Sequence, residues 1–567
     1  MVLSSARIPA ASTTTSPRVG TRVRSVPPPS CLPGDFPARP TGWPFRDPYD
    51  YLPGKVIDDA VPGGLWRVDD KIYDISNFVH PGGQEFITLT KGTDVTELFH
   101  THHLDFEKAN KTLRTYEVDL ASVSTLKALG QRNSCLTFEP EGFYCTLRRK
   151  IWERFGAEEG AGGKRKKKRE EEEKKGGVAA GGRGRAASSR RLPVVGLGAP
   201  LLTNLFSDSL VVLHLSLLYL ASSSLSFSTS IKFVVALGML NGLFIGVGHN
   251  FLHQKDSLRR HYMDLCGYSS ADFRMHHLFS HHPYTNTILD AELNQWLPEI
   301  SFFPVGYAGA ASSSWPKSSL RSFLLFTVVL PLGIPKLQLH RFVKIATMTY
   351  RAGRRDWIAQ LAPVLQIVAL SHAGVGGGSS GGGGINSLSS GIGLWLLMLT
   401  TSSAFFLWPN YLLGPHFNDE CWHQGDVLDD TDWGLLQVQT NVERKDLSQL
   451  DRLIDNLNNI PTFNMHHIHH LFPTIDATEL SKVAPIFDKH CEEWAVNFEM
   501  MSYPELARGL WRCLGKGYVP NERPRNGMRS STSAGGGGKE TTTTSTTTTP
   551  AKTTTTTTKR KGAKAAN

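Results

Sequence analysis

Three groups of histidines stand out in this 567-residue chain: His249-Asn-Phe-Leu-His253, His277-Leu-Phe-Ser-His281-His282 and His466-His467-Ile-His469-His470. Residues four apart on a helix share a face, so His249 with His253, and His277 with His281, can each aim two imidazoles at one point. His466, His469 and His470 stand at i, i+3 and i+4 and again fit one face. His276 and His467 read as neighbours that support the ligands, although either could replace the ligand beside it. A single histidine at a membrane boundary is usually an interfacial or supporting residue. Eight on matched faces (His249, His253, His277, His281, His282, His466, His469 and His470) are costly beside a bilayer unless paired or metallated. Imidazole suits iron, copper and zinc alike, but zinc takes about four ligands, so eight divide naturally between two metals.

A second constellation lies nearer the N-terminus, in GLWRVDDKIYDISNFVHPGGQEFITLTKGTDVTELFHTHH. It combines His80-Pro81-Gly82-Gly83, an acidic and Thr-containing helix (Thr93, Asp94, Thr96, Glu97) and a further histidine after Phe99. This segment resembles the cytochrome b5 family over the whole unit Tyr51–Leu120. The resemblance implies haem b held between two imidazoles, with Pro-Gly-Gly turning the chain so that no side chain crowds the porphyrin beside the first. His80 is that first ligand. Spacing from His80 and Phe99 gives His103 as the second, with His102 as the runner-up. Phe78 stands two residues before His80, closer than the family usually spaces that aromatic. A one-electron donor tethered to a zinc site has no obvious purpose, so the paired metals are read as two redox-active non-haem irons.

Around these residues the chain alternates between soluble and apolar sequence. Short strands over Leu65–Val68 and Lys71–Asp74 and a helix through Glu97–Leu104 build the first unit. Apolar runs Leu205–Ser222 and Ile231–Gly248 form one candidate membrane pair, and Trp357–Gly374 with Ile392–Leu412 another. Phe323–Leu337 is shorter, carries Pro331 and Pro335, and reads as interfacial. The first two histidine groups follow the second span, so an even number of crossings must separate them from the third if all share one metal pair. Four spans meet that condition and five do not. Arg190-Arg191 and Arg351 to Arg355 put the cationic flanks, and with them both sites, on the cytosolic face. The expected fold is therefore multidomain: a small α+β haem domain, then an all-α membrane domain of about four transmembrane helices plus an interfacial segment. Its boundaries read as a disordered leader over 1–50, the haem domain over 51–125, and a connecting helix and low-complexity linker over 126–196. The membrane domain follows over 197–500, and a Thr-rich basic tail over 523–567. The linker, including KRKKKREEEEKK, would let the donor swing over its acceptor.

HNFLHQKD, HHLFSHHPYTN and HHLFPTID, carried by these helical pairs, resemble the membrane fatty-acid desaturase superfamily over roughly Leu197–Phe498. With the haem unit, the chain is most similar to cytochrome b5-fused desaturases, the cytochrome b5-related proteins in particular. The resemblance implies O2 as co-substrate, electrons delivered singly through haem, and two hydrogen abstractions that leave a double bond in an acyl chain. It implies one further metal-site residue before the third group, a histidine or a water-bridged asparagine, for which His416 and His423 are the candidates. Front-end acyl desaturases carry Gln at the position of His466, so their regiochemistry does not transfer. Electrons would come from an NADH-cytochrome b5 reductase, because no dinucleotide fingerprint occurs here. The endoplasmic reticulum is the expected location, with a plastid as the alternative given the Arg- and Ser-containing leader.

Composition narrows the rest. The net charge of +10 is local, concentrated in the leader, Lys164–Lys175 and Lys559–Lys564, and no nucleic-acid reading module accompanies it. The mean hydropathy of −0.22 conceals the apolar runs because polar tracts dilute them. Seven cysteines form no CxxC pair, which argues against a disulfide framework and a thiolate zinc site. A hydroxylase on the same scaffold is the rival reading, separable only by its product. A non-catalytic electron carrier or lipid-binding relic would carry broken histidine groups, and none is broken.

Overall fold

The computed structural model describes residues 48–119, 132–155, 199–294, 327–347, 354–373, 385–445, 465–515 and 527–528, apart from a few single positions. The leader up to residue 47, the low-complexity linker and the basic tail lie outside the described residues, as do positions 323–326 and 328 of the proposed interfacial segment.

The first unit is built as its pattern predicts. Trp66–Val68 and Lys71–Tyr73 pair antiparallel, Trp66 opposite Tyr73, and short helices follow at Glu85–Leu89, Thr96–His102 and Phe106–Leu113. Asp105 caps the last of these by accepting from the Lys108 amide, satisfying one of the donors a helix start leaves open. Trp66, Val68, Tyr73, Ile75, Ile87 and Leu113 form its small core.

Among the described residues, three helices are long and apolar enough to cross a membrane: Leu201–Ser223, Phe227–Leu252 and the Ser387–Leu407 part of Ile385–Leu412. The fourth expected span is a 17-residue helix, Arg354–Leu370. It begins with Arg354, Arg355 and Asp356, which leaves Trp357–Leu370 as its uncharged part. Gly333–Ala346 carries Lys336, His340, Arg341 and Lys344 on a helix that also exposes Leu339 and Val343. That amphipathic composition suits an interface better than a span.

The long helices meet through small residues and a few buried polar ties, as membrane helices do. A Cβ at Gly238 would run into the backbone of Met398 and the side chain of Thr401, so glycine lets the second and last helices touch. His214 faces Asn241 at 2.8 Å. Gln366 donates to the Leu265 carbonyl at 2.7 Å and accepts from the Trp395 indole at 3.1 Å.

Contrary to the expected swinging donor, the haem unit is packed onto the membrane domain. Phe86, Leu98 and Leu104 join the large apolar core that also holds Phe244, Leu278 and Phe279. Residues 132–155 wedge between the two parts. Arg132 reaches Asp94 at 2.9 Å and Glu97 at 2.5 Å, while Tyr144 and Arg148 donate to the His100 carbonyl at 3.3 and 2.8 Å. Apolar faces on both units bury each other, a term the flexible composition of the linker cannot reveal.

Candidate metal centre and haem site

All three histidine groups converge. His249, His253, His277, His282 and His469 each offer a ring nitrogen within 4.8 Å of the others, and His281, His416 and His470 form a second such set. His466 joins the second set through His416, their Nε2 atoms 2.9 Å apart. Of the two further candidates, His416 stands in the cluster. His423 does not: its Nδ1 faces the Cys421 carbonyl at 3.0 Å and its Nε2 the His416 carbonyl at 3.2 Å.

Local structure explains the spacing. His249 and His253 end the Phe227–Leu252 helix, and the interleaved Asn250 and Gln254 both donate to Asp476, at 2.9 and 2.8 Å. Asp476 follows the third group in HHLFPTID, so this carboxylate ties the first element to the third. The second group lies on a π-turn over Arg274–His281, with the His282 amide bonded to the His277 carbonyl. An α-helical face would bring His281 in line with His277 and leave His282 aside. Widening the turn by one residue lets both converge, His282 in the first set and His281 in the second. The third group rides the short helix His466–Leu471.

The ring nitrogens suit metal ions. His249 Nε2 lies 2.8 Å from His277 Nε2, which lies 3.0 Å from His282 Nε2. The Nε2 atoms of His253, His469 and His470 are buried without a hydrogen-bond partner among the described residues. Buried polar nitrogens are normally satisfied, so converging orphans of this kind mark a cation site. Burial, and then the neighbouring imidazoles, hold His253, His277, His282, His469 and His470 well below the ordinary histidine value. These rings therefore present lone pairs at neutral pH.

Their far nitrogens are held by residues the sequence pattern does not single out. His281 Nδ1 meets Asp290 at 2.8 Å and His277 Nδ1 meets Glu292 at 2.5 Å. His416 Nδ1 faces the Thr440 carbonyl at 3.1 Å, and His470 Nδ1 faces Gln437 at 3.1 Å. Each contact fixes the tautomer that turns Nε2 to the centre. The only sequence hint is the acidic stretch Leu289-Asp290-Ala291-Glu292 soon after the second group. His467 is fully engaged elsewhere, with Nδ1 on Glu443 at 2.9 Å and Nε2 near the Val438 and Asn441 carbonyls at 3.2 Å. His276 packs on Phe273 at 5.1 Å between ring centres, outside both sets.

In the first unit His80 and His103 face each other with ring centres 6.0 Å apart. Two metal–nitrogen bonds of about 2 Å plus the two ring radii come to about the same distance, so an iron held between them fits. His103 Nδ1 bonds the Phe99 carbonyl at 2.8 Å, leaving Nε2 free to face the gap. His102 instead turns toward Phe86, ring centres 6.4 Å apart, with Nδ1 on the Leu98 carbonyl at 3.1 Å. Burial pushes His103 down to about 4 and His102 down to about 3. Phe78 meets His80 edge-on at 6.0 Å and Tyr116 at 5.4 Å, so the shortened spacing still puts an aromatic beside the loop.

With this geometry in view, comparison with known proteins is direct. The fatty acid desaturase family model matches residues 228–499, and the cytochrome b5-like heme/steroid binding domain model matches residues 59–119. The chain carries a cytochrome b5-like domain followed by a fatty acid desaturase domain. Over 457 residues it is 28% identical to a cytochrome b5-related protein of Drosophila melanogaster, covering 79% of this chain and 86% of that one. A cytochrome b5-related protein of Drosophila virilis is 41% identical over 98 residues, 17% of this chain and 63% of that one. Acyl-lipid (8-3)-desaturase B of Dictyostelium discoideum is 23% identical over 464 residues, 76% and 86% of the two chains. No solved structure matches the chain. The protein is an oxidoreductase, its families imply haem and iron, and its apolar helices associate it with the membrane.

Proposed function

We propose that the protein is a membrane di-iron acyl-lipid desaturase that uses O2 and is reduced through its own cytochrome b5-like domain. The observation that carries this reading is the convergence of nine imidazoles in two adjoining sets, beside a facing histidine pair of haem dimensions. His249, His253, His277, His282 and His469 would hold one iron, and His281, His416, His466 and His470 the other. His80 and His103 would hold the haem. Bound there, the two irons supply the oxidising power to remove hydrogen from an unactivated C–H bond.

The chain's own residues do the rest. Asp290, Glu292, Gln437 and Thr440 hold the ligand rings in register. Asp476 locks the first and third groups together. Phe273 stacks on His277 with ring centres 4.4 Å apart, and such apolar packing keeps water from the ligand shell. The substrate is an acyl lipid reached from the bilayer, and the external donor is an NADH-cytochrome b5 reductase. Both sites face the cytosol from the endoplasmic reticulum membrane.

Expression in a host of known lipid composition, with mass spectrometry of its acyl chains, tests the reading. New double bonds that vanish with His281→Ala support it. New hydroxyl groups would move the protein to the hydroxylase class. About two non-haem irons per purified chain are expected, and stoichiometric zinc with full activity would refute the assignment.

A further inference from the structure

A compact charge cluster joins the haem loop to the histidine-box elements. Glu85, five residues after His80, accepts from Arg260 Nη2 at 2.8 Å and from Arg274 Nη1 at 2.8 Å. Asp256, three residues after His253, accepts from the same two guanidiniums at 2.7 and 2.6 Å. Arg274 itself stands three residues before His277. The Asp256 amide donates to the Gly82 carbonyl at 2.7 Å. Gly83, at φ 137°, lies so close that a Cβ there would overlap the Asp256 side chain. The second glycine of the haem loop is thus needed for the approach of the membrane domain as well as for its own backbone angle.

We propose that Glu85, Asp256, Arg260 and Arg274 form a docking latch that holds the haem loop in one pose on the histidine-box elements and sets Phe86 against Phe279 as the contact through which electrons cross. This rests on the desaturase reading above.

The ring sequence is short. Phe86 lies 5.8 Å from His80, 6.4 Å from His102 and 6.0 Å from Phe279, centre to centre. Phe279 sits in the second histidine group between His277 and His281. The Arg274 guanidinium lies 4.8 Å over the Phe86 ring, so the latch touches the electron contact itself. Arg274 is 1% exposed. Two cations and two carboxylates balance, with four charge-assisted bonds among them. Apolar replacements could match such a buried set for stability, so its distinctive gift is one specific pose. Ferrous haem held by His80 and His103 would supply one electron across this contact and become ferric, and a ferric ion held by the histidine cluster would take it up and become ferrous, with no bond made or broken.

The test uses the full chain in lipid nanodiscs. Glu85→Lys, on a half-exposed position of the haem unit, places a third cation in the latch. The double variant Glu85→Arg with Arg274→Glu restores the charge balance. Hydrogen exchange at the Asp256 amide reports docking with or without metal. Flash reduction of the haem under argon, followed by its reoxidation, reports transfer to iron. Glu85→Lys should speed the Asp256 exchange and slow reoxidation roughly tenfold to a hundredfold, the scale of a small misplacement of reacting groups, at unchanged haem and iron content. The double variant should recover both. Unchanged exchange in Glu85→Lys overturns the latch, whatever happens to reoxidation. Faster exchange with unchanged reoxidation overturns the electron contact. Failure of the parent chain to take up iron would instead strike the desaturase reading and leave the exchange result to judge the latch.

Discussion

Asp290 is the residue whose loss should separate ligand positioning from ligand identity. Its side chain is fully buried, with Oδ2 2.8 Å from His281 Nδ1 and 3.0 Å from the Asn286 amide, and Oδ1 3.1 Å from the Glu292 amide. Removing an outer partner of a metal-bound histidine costs about 10–100-fold in metal affinity, which is about 1.4–2.8 kcal/mol. Asp290→Ala should shift iron retention by that factor while haem content, measured on the same sample, stays at one per chain. The alanine also strands buried backbone amides at about 1–3 kcal/mol each, so its stability falls too. Asp290→Asn separates the two effects: its amide oxygen still accepts from the ring and the backbone, but carries no charge. It should retain most of the fold and show a smaller iron deficit. Iron remaining after equilibration against graded chelator is the measurement. An Asp290→Ala protein that holds iron at the parent's chelator midpoint would show that the ligand rings orient themselves, and the reasoning would fall.

Other consequences are equally direct. His416→Ala should cut non-haem iron from about two to about one per chain, and His423→Ala should leave it intact; elemental analysis decides, with the reverse result exchanging their roles. His103→Ala should abolish low-spin, six-coordinate haem while His102→Ala preserves it, and absorption spectra of the full chain would expose an error of one position. In haem-free protein, His103 and His102 stay neutral down to about 4 and about 3, whereas the unfolded chain protonates near 6.5. The unfolded state then binds more protons, so local stability is full above about pH 6.5 and falls on acidification toward pH 4, by up to about 1.4 kcal/mol per unit for each ring. Hydrogen exchange over residues 96–118 that stays constant from pH 7 to 4.5, after correction for intrinsic rates, would contradict this.

The chemistry was legible in the chain because imidazoles must recur at helical intervals to meet, and that interval survives in sequence. His249 with His253, and His466 with His469 and His470, show it plainly. The π-turn was hidden: an extra residue per turn leaves no local signature, and the adjacent pair His281-His282 hints at it only in hindsight. Asp290 and Glu292 were hidden for another reason, since a carboxylate that orients a ring does so from a different element at no fixed spacing. Docking was the least legible feature. Nothing in the spacing of Arg260, Arg274 and Glu85 links them; the fold alone brings segments some 175 and 189 residues apart into contact.

Topology follows from the metal geometry more firmly than from helix length. The first two groups follow the helix Phe227–Leu252, and the third follows Ile385–Leu412. Counting only the three helices of spanning length would put them on opposite faces, yet their ring nitrogens stand within 4.8 Å. A crossing by Arg354–Leu370 would return the chain to the first face. At 17 residues it is about 25 Å long, short of the ~30 Å core, a mismatch that the turn after Leu370 and local thinning can absorb. It also lies along Ile385–Leu412, where a Cβ on Gly391 would meet the backbone of Ile367 and Ser371. Labelling in intact microsomes can decide. Cys266 is fully buried and unsuited as a reporter, so engineered cysteines are needed. Lys445→Cys, an exposed position after the last span, should label from the cytosolic side. Ser379→Cys, between the two helices, should label only once the membrane is permeabilised. Cytosolic labelling of both would leave Arg354–Leu370 on the surface and demand another return pass.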